Sequence, residues 1–110
     1  MSTITPVPTP RLQLPSPALA EFCQRWKIAK LELFGSALGI SFRPDSDVDF
    51  LVTFSPDARW SLLDLARAAE ELGHLIGHPV DLVERPGVEQ SDNWIRRREI
   101  LSTARPLYVA

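Results

Sequence analysis

The segment Asp47 to Phe54, with the sequence DVDFLVTF, constrains the fold of this 110-residue chain more than any other stretch. Side chains alternate between the two faces of a β-strand. One face carries Val48, Phe50, Val52 and Phe54, and the other carries Asp47, Asp49, Leu51 and Thr53. Because both faces are apolar beyond the two aspartates, we predict a central strand of a sheet with its aspartates at one end.

The remaining hydrophobic patterns alternate between helical and extended spacing. They predict helices over residues 17–27, 61–75 and 91–103, a short helix over 36–40, and strands over 28–34, 47–54 and 80–83; residues 107–109 add a short strand or pack against the core. This order predicts an α/β fold in which helices cover a small sheet.

The helix over 61–75 has the clearest signals. Ser61 and Asp64 have the spacing of a capping box, and Gly73 and Gly77 mark its end. Its predicted apolar stripe consists of Leu62, Leu65, Ala66, Ala69, Leu72 and Ile76. Ser91 is predicted to cap the last helix.

The chain length predicts one folded domain, over residues 18–110, preceded by a leader. Residues 1–17 hold five of the ten prolines, which favour extended backbone. We expect this leader to be loosely attached, and the alternative is an arm that binds a partner.

Composition excludes several function classes. A net charge of −2 gives no general attraction to nucleic acid or membranes, and Cys23, the only cysteine, excludes intramolecular disulfides and cysteine-rich zinc sites. The sequence has neither a signal-peptide pattern nor an apolar run long enough to span a membrane. We therefore expect a soluble cytoplasmic protein.

The two aspartates of the central strand should be mutually repulsive. Side chains two residues apart on a strand point the same way, which brings the carboxylates of Asp47 and Asp49 to roughly 5 to 7 Å. At an effective dielectric of ~20 the repulsion is about 3 kcal/mol. A Mg²⁺ ion would offset it, and Asp81 would add a third ligand if its strand lies alongside. The alternative is that Asp47 and Asp49 are solvated residues at the start of a strand.

Gly35 and Ser36 close one strand and open a short helix, where backbone N–H groups face outward. Such a turn can hold phosphate oxygens, with a further hydrogen bond from Ser36 Oγ. The alternative is a plain strand-to-helix turn. Taken together, the turn and the aspartates favour a site for a Mg-nucleotide.

These residues resemble a known family. Gly35-Ser36, followed by the run RPDSDVDFLV over residues 43–52, resembles the minimal nucleotidyltransferases of the polymerase-beta-like superfamily. The likeness extends over residues 30–108, through Val80 to Val83 and the closing helix. Many members of that family are antitoxins encoded beside a HEPN-domain toxin, which is a ribonuclease.

The resemblance implies a nucleotidyltransferase fold with a mixed sheet. It implies that Asp47, Asp49 and Asp81 hold Mg²⁺ and that Gly35 and Ser36 grip the terminal phosphates of the nucleotide. A hydroxyl would attack the α-phosphate of ATP and pyrophosphate would leave. In antitoxin members the acceptor is a tyrosine of the HEPN toxin, which is silenced by the AMP it receives.

One position departs from the family pattern. Gly39 stands where the family commonly has an arginine, so a charge-assisted phosphate contact is lost unless Arg43 replaces it. Arg43 has the alternative interpretation of a solvated loop residue. The sequence therefore leaves two functions open: an adenylylating enzyme, and an antitoxin that silences its toxin by binding alone.

Other features bear on the partner. The chain is short for a second domain that would present an acceptor, which places the acceptor on another polypeptide and makes a small-molecule nucleotidyltransferase the least favoured function. The run from Arg96 to Arg98 is a solvated helix face or a contact for an acidic partner. Trp60 and Trp94 are expected to pack in the core, and the alternative is that they anchor an interface.

Overall fold

A mixed sheet with helices on both faces forms the framework of the protein. The computed structural model describes residues 3–4, 16–35 and 47–110. Within these ranges the elements are β1 (Thr3–Ile4), α1 (Ser16–Arg25), β2 (Ile28–Phe34), β3 (Val48–Phe54), α2 (Leu62–Ile76), β4 (Val80–Glu84), α3 (Arg85–Glu89), α4 (Trp94–Thr103) and β5 (Arg105–Val109). The predicted helix over 36–40 lies outside the described residues.

The strands are ordered β1-β5-β2-β3-β4 in the sheet. β2 is antiparallel to both β5 and β3, whereas β3 and β4 are parallel and are connected through α2. The two residues of β1, which belong to the proline-rich leader, pair with β5. This arrangement confirms the α/β fold class and the prediction that the strand of Asp81 lies beside that of Asp47 to Phe54.

Both faces of β3 are buried, as its sequence predicts. Val48, Phe50 and Val52 lie in the larger core cluster, beneath α1 and α2. Leu51 faces the other way, into a smaller cluster with Val88 of α3 and Ile100 of α4. Asp49 lies on the same face of β3 as Leu51, and this face is turned towards the layer formed by α3 and α4.

The capping box of α2 is present, but its predicted apolar stripe is partly wrong. Asp64 N donates to Ser61 Oγ, Ser61 N donates to Asp64 Oδ2, and Gly77 ends the helix with φ 77°. Buried positions of the helix are Ala68, Leu72 and Ile76, whereas Leu62 is 85% exposed. The buried positions of α2 are four residues apart, so only one narrow stripe of the helix faces the core.

The C-terminal part also differs from the prediction. Residues 85–89 form the short helix α3, with Pro86 in its first turn where a missing N–H is tolerated. Asn93, rather than Ser91, caps α4 by accepting a hydrogen bond from Arg96 N. Residues 105–109, by contrast, form the strand β5 beside β2, which confirms the first of the two predictions for residues 107–109 and begins two residues earlier.

A buried ion pair fixes α3 to the sheet. Glu32 of β2 is only 4% exposed, and Arg85 donates from Nη1 to its Oε1 at 2.6 Å. Lys30 Nζ lies 3.8 Å from the other carboxylate oxygen. Removing one partner of such a pair leaves an uncompensated charge, which makes Glu32 and Arg85 mutually dependent.

A second polar link joins α1 to α2. Glu71 of α2 accepts hydrogen bonds from Arg25 Nη1 at 2.7 Å and from Trp26 Nε1 at 2.6 Å. Trp60 Nε1 donates to the carbonyl of Trp26, and the two indole rings meet edge to face at 5.0 Å. Trp60 is therefore half-buried against Trp26 and lies outside the two core clusters, which differs from the expected core position.

No helix within residues 16–35 and 47–110 is long and apolar enough to cross a membrane.

We expect Glu71→Gln to lower the free energy of unfolding by about 1 kcal/mol at pH 7, since the pair with Arg25 is partly exposed. The hydrogen bond from Arg25 lowers the pKa of Glu71; burial opposes this, and the hydrogen bond from Trp26 adds to it. A lowered pKa stabilises the fold above the unfolded pKa of about 4.3 and loses this effect as pH falls. The wild-type advantage should therefore shrink below about pH 4.

Urea unfolding at pH 7 and at pH 3 measures this difference. Glu70→Gln is the matched control, because the Glu70 side chain is 76% exposed and, among the described residues, its one ion-pair partner is His74 of its own helix, at 3.8 Å. Equal loss of stability in both variants, or a loss independent of pH, would contradict the role assigned to Glu71.

Candidate active site

Asp49 and Asp81 are neighbours across two parallel strands. Their Cα atoms are register partners in the β3–β4 ladder. Adjacent strands lie about 4.8 Å apart, and register partners project their side chains to the same face of the sheet. Asp49 is half-buried and Asp81 is exposed. The sequence-based prediction that these carboxylates converge is therefore supported by the strand pairing.

The electrostatics of Asp49 reflect its neighbours. Burial raises the pKa of Asp49, and the charges of Asp81 and Asp47 raise it further. Asp47 is exposed and directly precedes β3. The charges of Asp47 and Asp81 thus both act on Asp49 at one end of the parallel pair, where added positive charge would be favourable.

Gly35 lies against the carboxylate of Asp49. Its φ of 79° falls in the left-handed region, and an ideal Cβ at this position would lie 2.5 Å from Asp49 Oδ2. The preceding residue, Phe34, is the register partner of Asp49 across β2 and β3. A glycine is therefore required here for two reasons, the backbone conformation and the space that the carboxylate occupies.

Arg96 is a charged neighbour of the site that sequence patterns did not identify. It is exposed in the first turn of α4, and its positive charge partly offsets the increase in the pKa of Asp49. The run of three arginines is visible in the sequence, but only the packing of α4 over the aspartate face of the sheet brings one of them near Asp49.

Two predicted site residues, Ser36 and Arg43, lie outside the described residues. Within the described parts of the chain, no group of three or more His, Cys, Asp and Glu side chains is arranged to hold a metal ion. The donor chemistry of Asp47, Asp49 and Asp81 nevertheless suits Mg²⁺, which prefers carboxylate oxygens, and the repulsion felt by Asp49 is what a cation would relieve. Their role as metal ligands stays a prediction.

The sequence matches a family model for the nucleotidyltransferase domain over residues 17–106. No curated protein matches the chain significantly.

Several solved structures have a fold similar to that of this chain. One is a candidate minimal nucleotidyltransferase, 34% identical, with a TM-score of 0.63 over 83% of this chain and 87% of the other. A toxin-antitoxin crystal structure with AMP-PNP is 19% identical, with a TM-score of 0.64 over 88% of this chain and 75% of the other. The structure of a tri-AMPylated Shewanella oneidensis HEPN toxin in complex with MNT antitoxin is 16% identical, with a TM-score of 0.53 over 86% of this chain and 69% of the other. The last two likenesses show the fold alone.

We expect Gly35→Ala to lower the free energy of unfolding by about 1 to 2 kcal/mol, the cost of a left-handed conformation for a residue with a Cβ. The added methyl group would also push the Asp49 carboxylate from its position. Urea unfolding measures the first effect.

Gly87→Ala is the matched control for this substitution. Gly87 lies in α3, and a Cβ there would meet nothing within 4 Å. Alanine favours a helix more than glycine does, so this variant should be as stable as the wild type or slightly more so. Similar destabilisation by both substitutions would show that the contact of Gly35 with Asp49 has no special importance.

Proposed function

The chain belongs to the nucleotidyltransferase domain family, and from that premise we propose that it is a Mg²⁺-dependent antitoxin enzyme. In this proposal it transfers AMP from ATP to a tyrosine hydroxyl of a HEPN-domain ribonuclease toxin and so neutralises the toxin. The observation that carries the proposal is the in-register pairing of Asp49 with Asp81, beside Asp47 and the glycine turn at Gly35.

The chemistry requires few protein groups. The tyrosine oxygen attacks the α-phosphorus of ATP, the bond between that phosphorus and the oxygen bridging to the β-phosphate breaks, and pyrophosphate leaves with the electron pair. We assign the hydroxyl proton to the carboxylate of Asp81, because this side chain is exposed and lies beside Asp49. Catalysis then depends mainly on orientation and on electrostatic stabilisation.

Asp47, Asp49 and Asp81 are the residues that would hold Mg²⁺. When bound, the ion supplies the positive charge that stabilises the triphosphate as the bond to the leaving group breaks. Asp49 is oriented by Gly35 behind it and by its place in β3, between β2 and β4. We assign the terminal phosphates to the turn at Gly35 and Ser36, with Arg43 as a further cationic contact.

The choice of acceptor is supported by the fold neighbours. Two of them are toxin-antitoxin structures, one with AMP-PNP and one with a tri-AMPylated HEPN toxin. A HEPN toxin is accordingly the partner we assign, with one or more AMP units transferred from ATP.

A second function is favoured by Gly39. Since the family commonly has an arginine at this position, the phosphate contacts are weakened, and the chain would silence its toxin by binding without transfer. Gly39 lies outside the described residues. The two functions differ in whether the aspartates are needed.

We expect Asp49→Asn to reduce the transfer of label from α-labelled ATP to the toxin by about 100-fold or more, as for the loss of a group that stabilises developing charge. Removal of Mg²⁺ with a chelator should have a similar effect. Asp57→Asn is the matched control, because Asp57 is 72% exposed and lies in the turn beyond the opposite end of β3. Undiminished transfer by Asp49→Asn would refute the enzymatic function.

Protection of cells from the toxin separates the two functions. If transfer is required, the Asp47→Asn/Asp49→Asn double variant should fail to protect cells although it is produced at wild-type levels and still binds the toxin. Growth of cells that carry the toxin gene measures this. Full protection by the double variant would establish neutralisation by binding alone.

A further inference from the structure

Exposed apolar side chains of this protein are concentrated at two helix starts. Among the described residues, five large hydrophobic side chains are exposed, and four of them lie in the first turns of α2 and α4: Leu62 (85%), Leu63 (61%), Trp94 (58%) and Ile95 (61%). Trp94 was expected in the core, and its exposure corrects that prediction. Apolar side chains exposed at adjacent positions in this way mark interaction sites.

The two helix starts flank one cleft. Its volume is about 430 Å³, and it runs along the C-terminal half of β4. Leu62 and Leu65 line it from α2, Val88 from α3, and Arg96 and Arg97 from α4. In the sheet, as far as its described strands go, β4 is the terminal strand, so the cleft lies at a sheet edge.

The cleft adjoins the candidate active site. Its floor includes Leu82 and Val83, the two residues that follow Asp81 in β4. Arg96, on its wall, is near enough to Asp49 for their charges to interact. A chain bound against Arg96 in the cleft would therefore lie near Asp49.

We propose that Leu62, Leu63, Trp94, Ile95 and Arg96, together with the cleft between them, form a docking face for the toxin segment that carries the acceptor hydroxyl. This inference rests on the proposed function and deepens it by locating the partner. The segment bound there would present apolar side chains to the cleft and at least one carboxylate to Arg96. Tryptophan and arginine are the residues that most often dominate binding energy at such interfaces.

Charge argues against a second copy of this chain as the occupant. Arg96, Arg97 and Arg98 are consecutive in α4. A two-fold dimer through the docking face would bring these arginines of one copy towards the same arginines of the other. Like charges in contact disfavour that pairing, whereas an acidic partner is attracted.

Binding to the product of the adjacent reading frame, used as the HEPN partner, tests the inference. We expect Trp94→Ala/Ile95→Ala to weaken the dissociation constant at least ~10-fold, and Arg96→Glu to weaken it to a similar extent, mainly through slower and more salt-dependent association. At saturating toxin, Trp94→Ala/Ile95→Ala should retain its rate of AMP transfer while the KM for toxin rises.

A charge reversal and an apolar truncation elsewhere on the surface serve as controls. Arg59→Glu changes an exposed arginine whose Nη1 donates only to the nearby carbonyls of Pro56 and Ala58. Val109→Ala removes the remaining exposed hydrophobic side chain, in β5. Both should bind the toxin as the wild type does, and urea unfolding of each variant checks that it is folded.

The outcomes distinguish the two proposals. If the wild type binds and modifies the toxin while Trp94→Ala/Ile95→Ala and Arg96→Glu bind equally well, the docking face is wrong and the proposed function stands. If the wild type neither binds nor modifies the toxin, the proposed function fails and the docking inference fails with it. A dimer of the isolated chain that dissociates on Trp94→Ala, seen by sedimentation, would make a second copy the occupant and overturn the inference.

Discussion

The parallel pairing of β3 with β4 is the constraint on which the rest of this structure depends. Its register places Asp81 beside Asp49 on one face of the sheet, with Asp47 directly before β3. Three acidic groups at this spacing raise the free energy of the fold unless positive charge is supplied. The larger core beneath α1 and α2 holds both strands in register against that repulsion. The larger core thus lies on one face of the sheet, and Asp49 and Asp81, which we propose to carry the chemistry, lie on the other.

The layer of α3 and α4 determines what can approach the aspartates. It is attached by a small apolar cluster and by the buried pair of Glu32 with Arg85. Because this layer covers only part of that face of the sheet, a cleft remains along β4. Arg96 lines the cleft, and its charge acts on Asp49. The same helix therefore contributes to the electrostatics of the proposed reaction site and to the surface proposed to bind the toxin.

The proposed reaction site and the proposed docking face have different roles. In the proposed function, the turn at Gly35 and the aspartates orient the nucleotide, and the apolar first turns of α2 and α4 bind the protein that brings the acceptor. An enzyme whose acceptor arrives on another chain needs a surface that binds the acceptor chain beside its catalytic groups, and apolar side chains often form the centre of such a surface. Leu62 and Trp94 are exposed to an extent that core packing does not explain.

The sequence by itself determined the alternation of β3, the capping box at Ser61, the sheet with helices around it, and the three aspartates, because these depend on local spacing and residue chemistry. It did not determine that Leu62 and Trp94 would be exposed, because apolar periodicity does not reveal which positions of a helix are covered by other elements. The contact of Gly35 with Asp49, the Glu32–Arg85 pair and the approach of Arg96 to the site join residues distant in sequence. Only the tertiary structure decided these, since long-range packing sets which residues distant in sequence come close together.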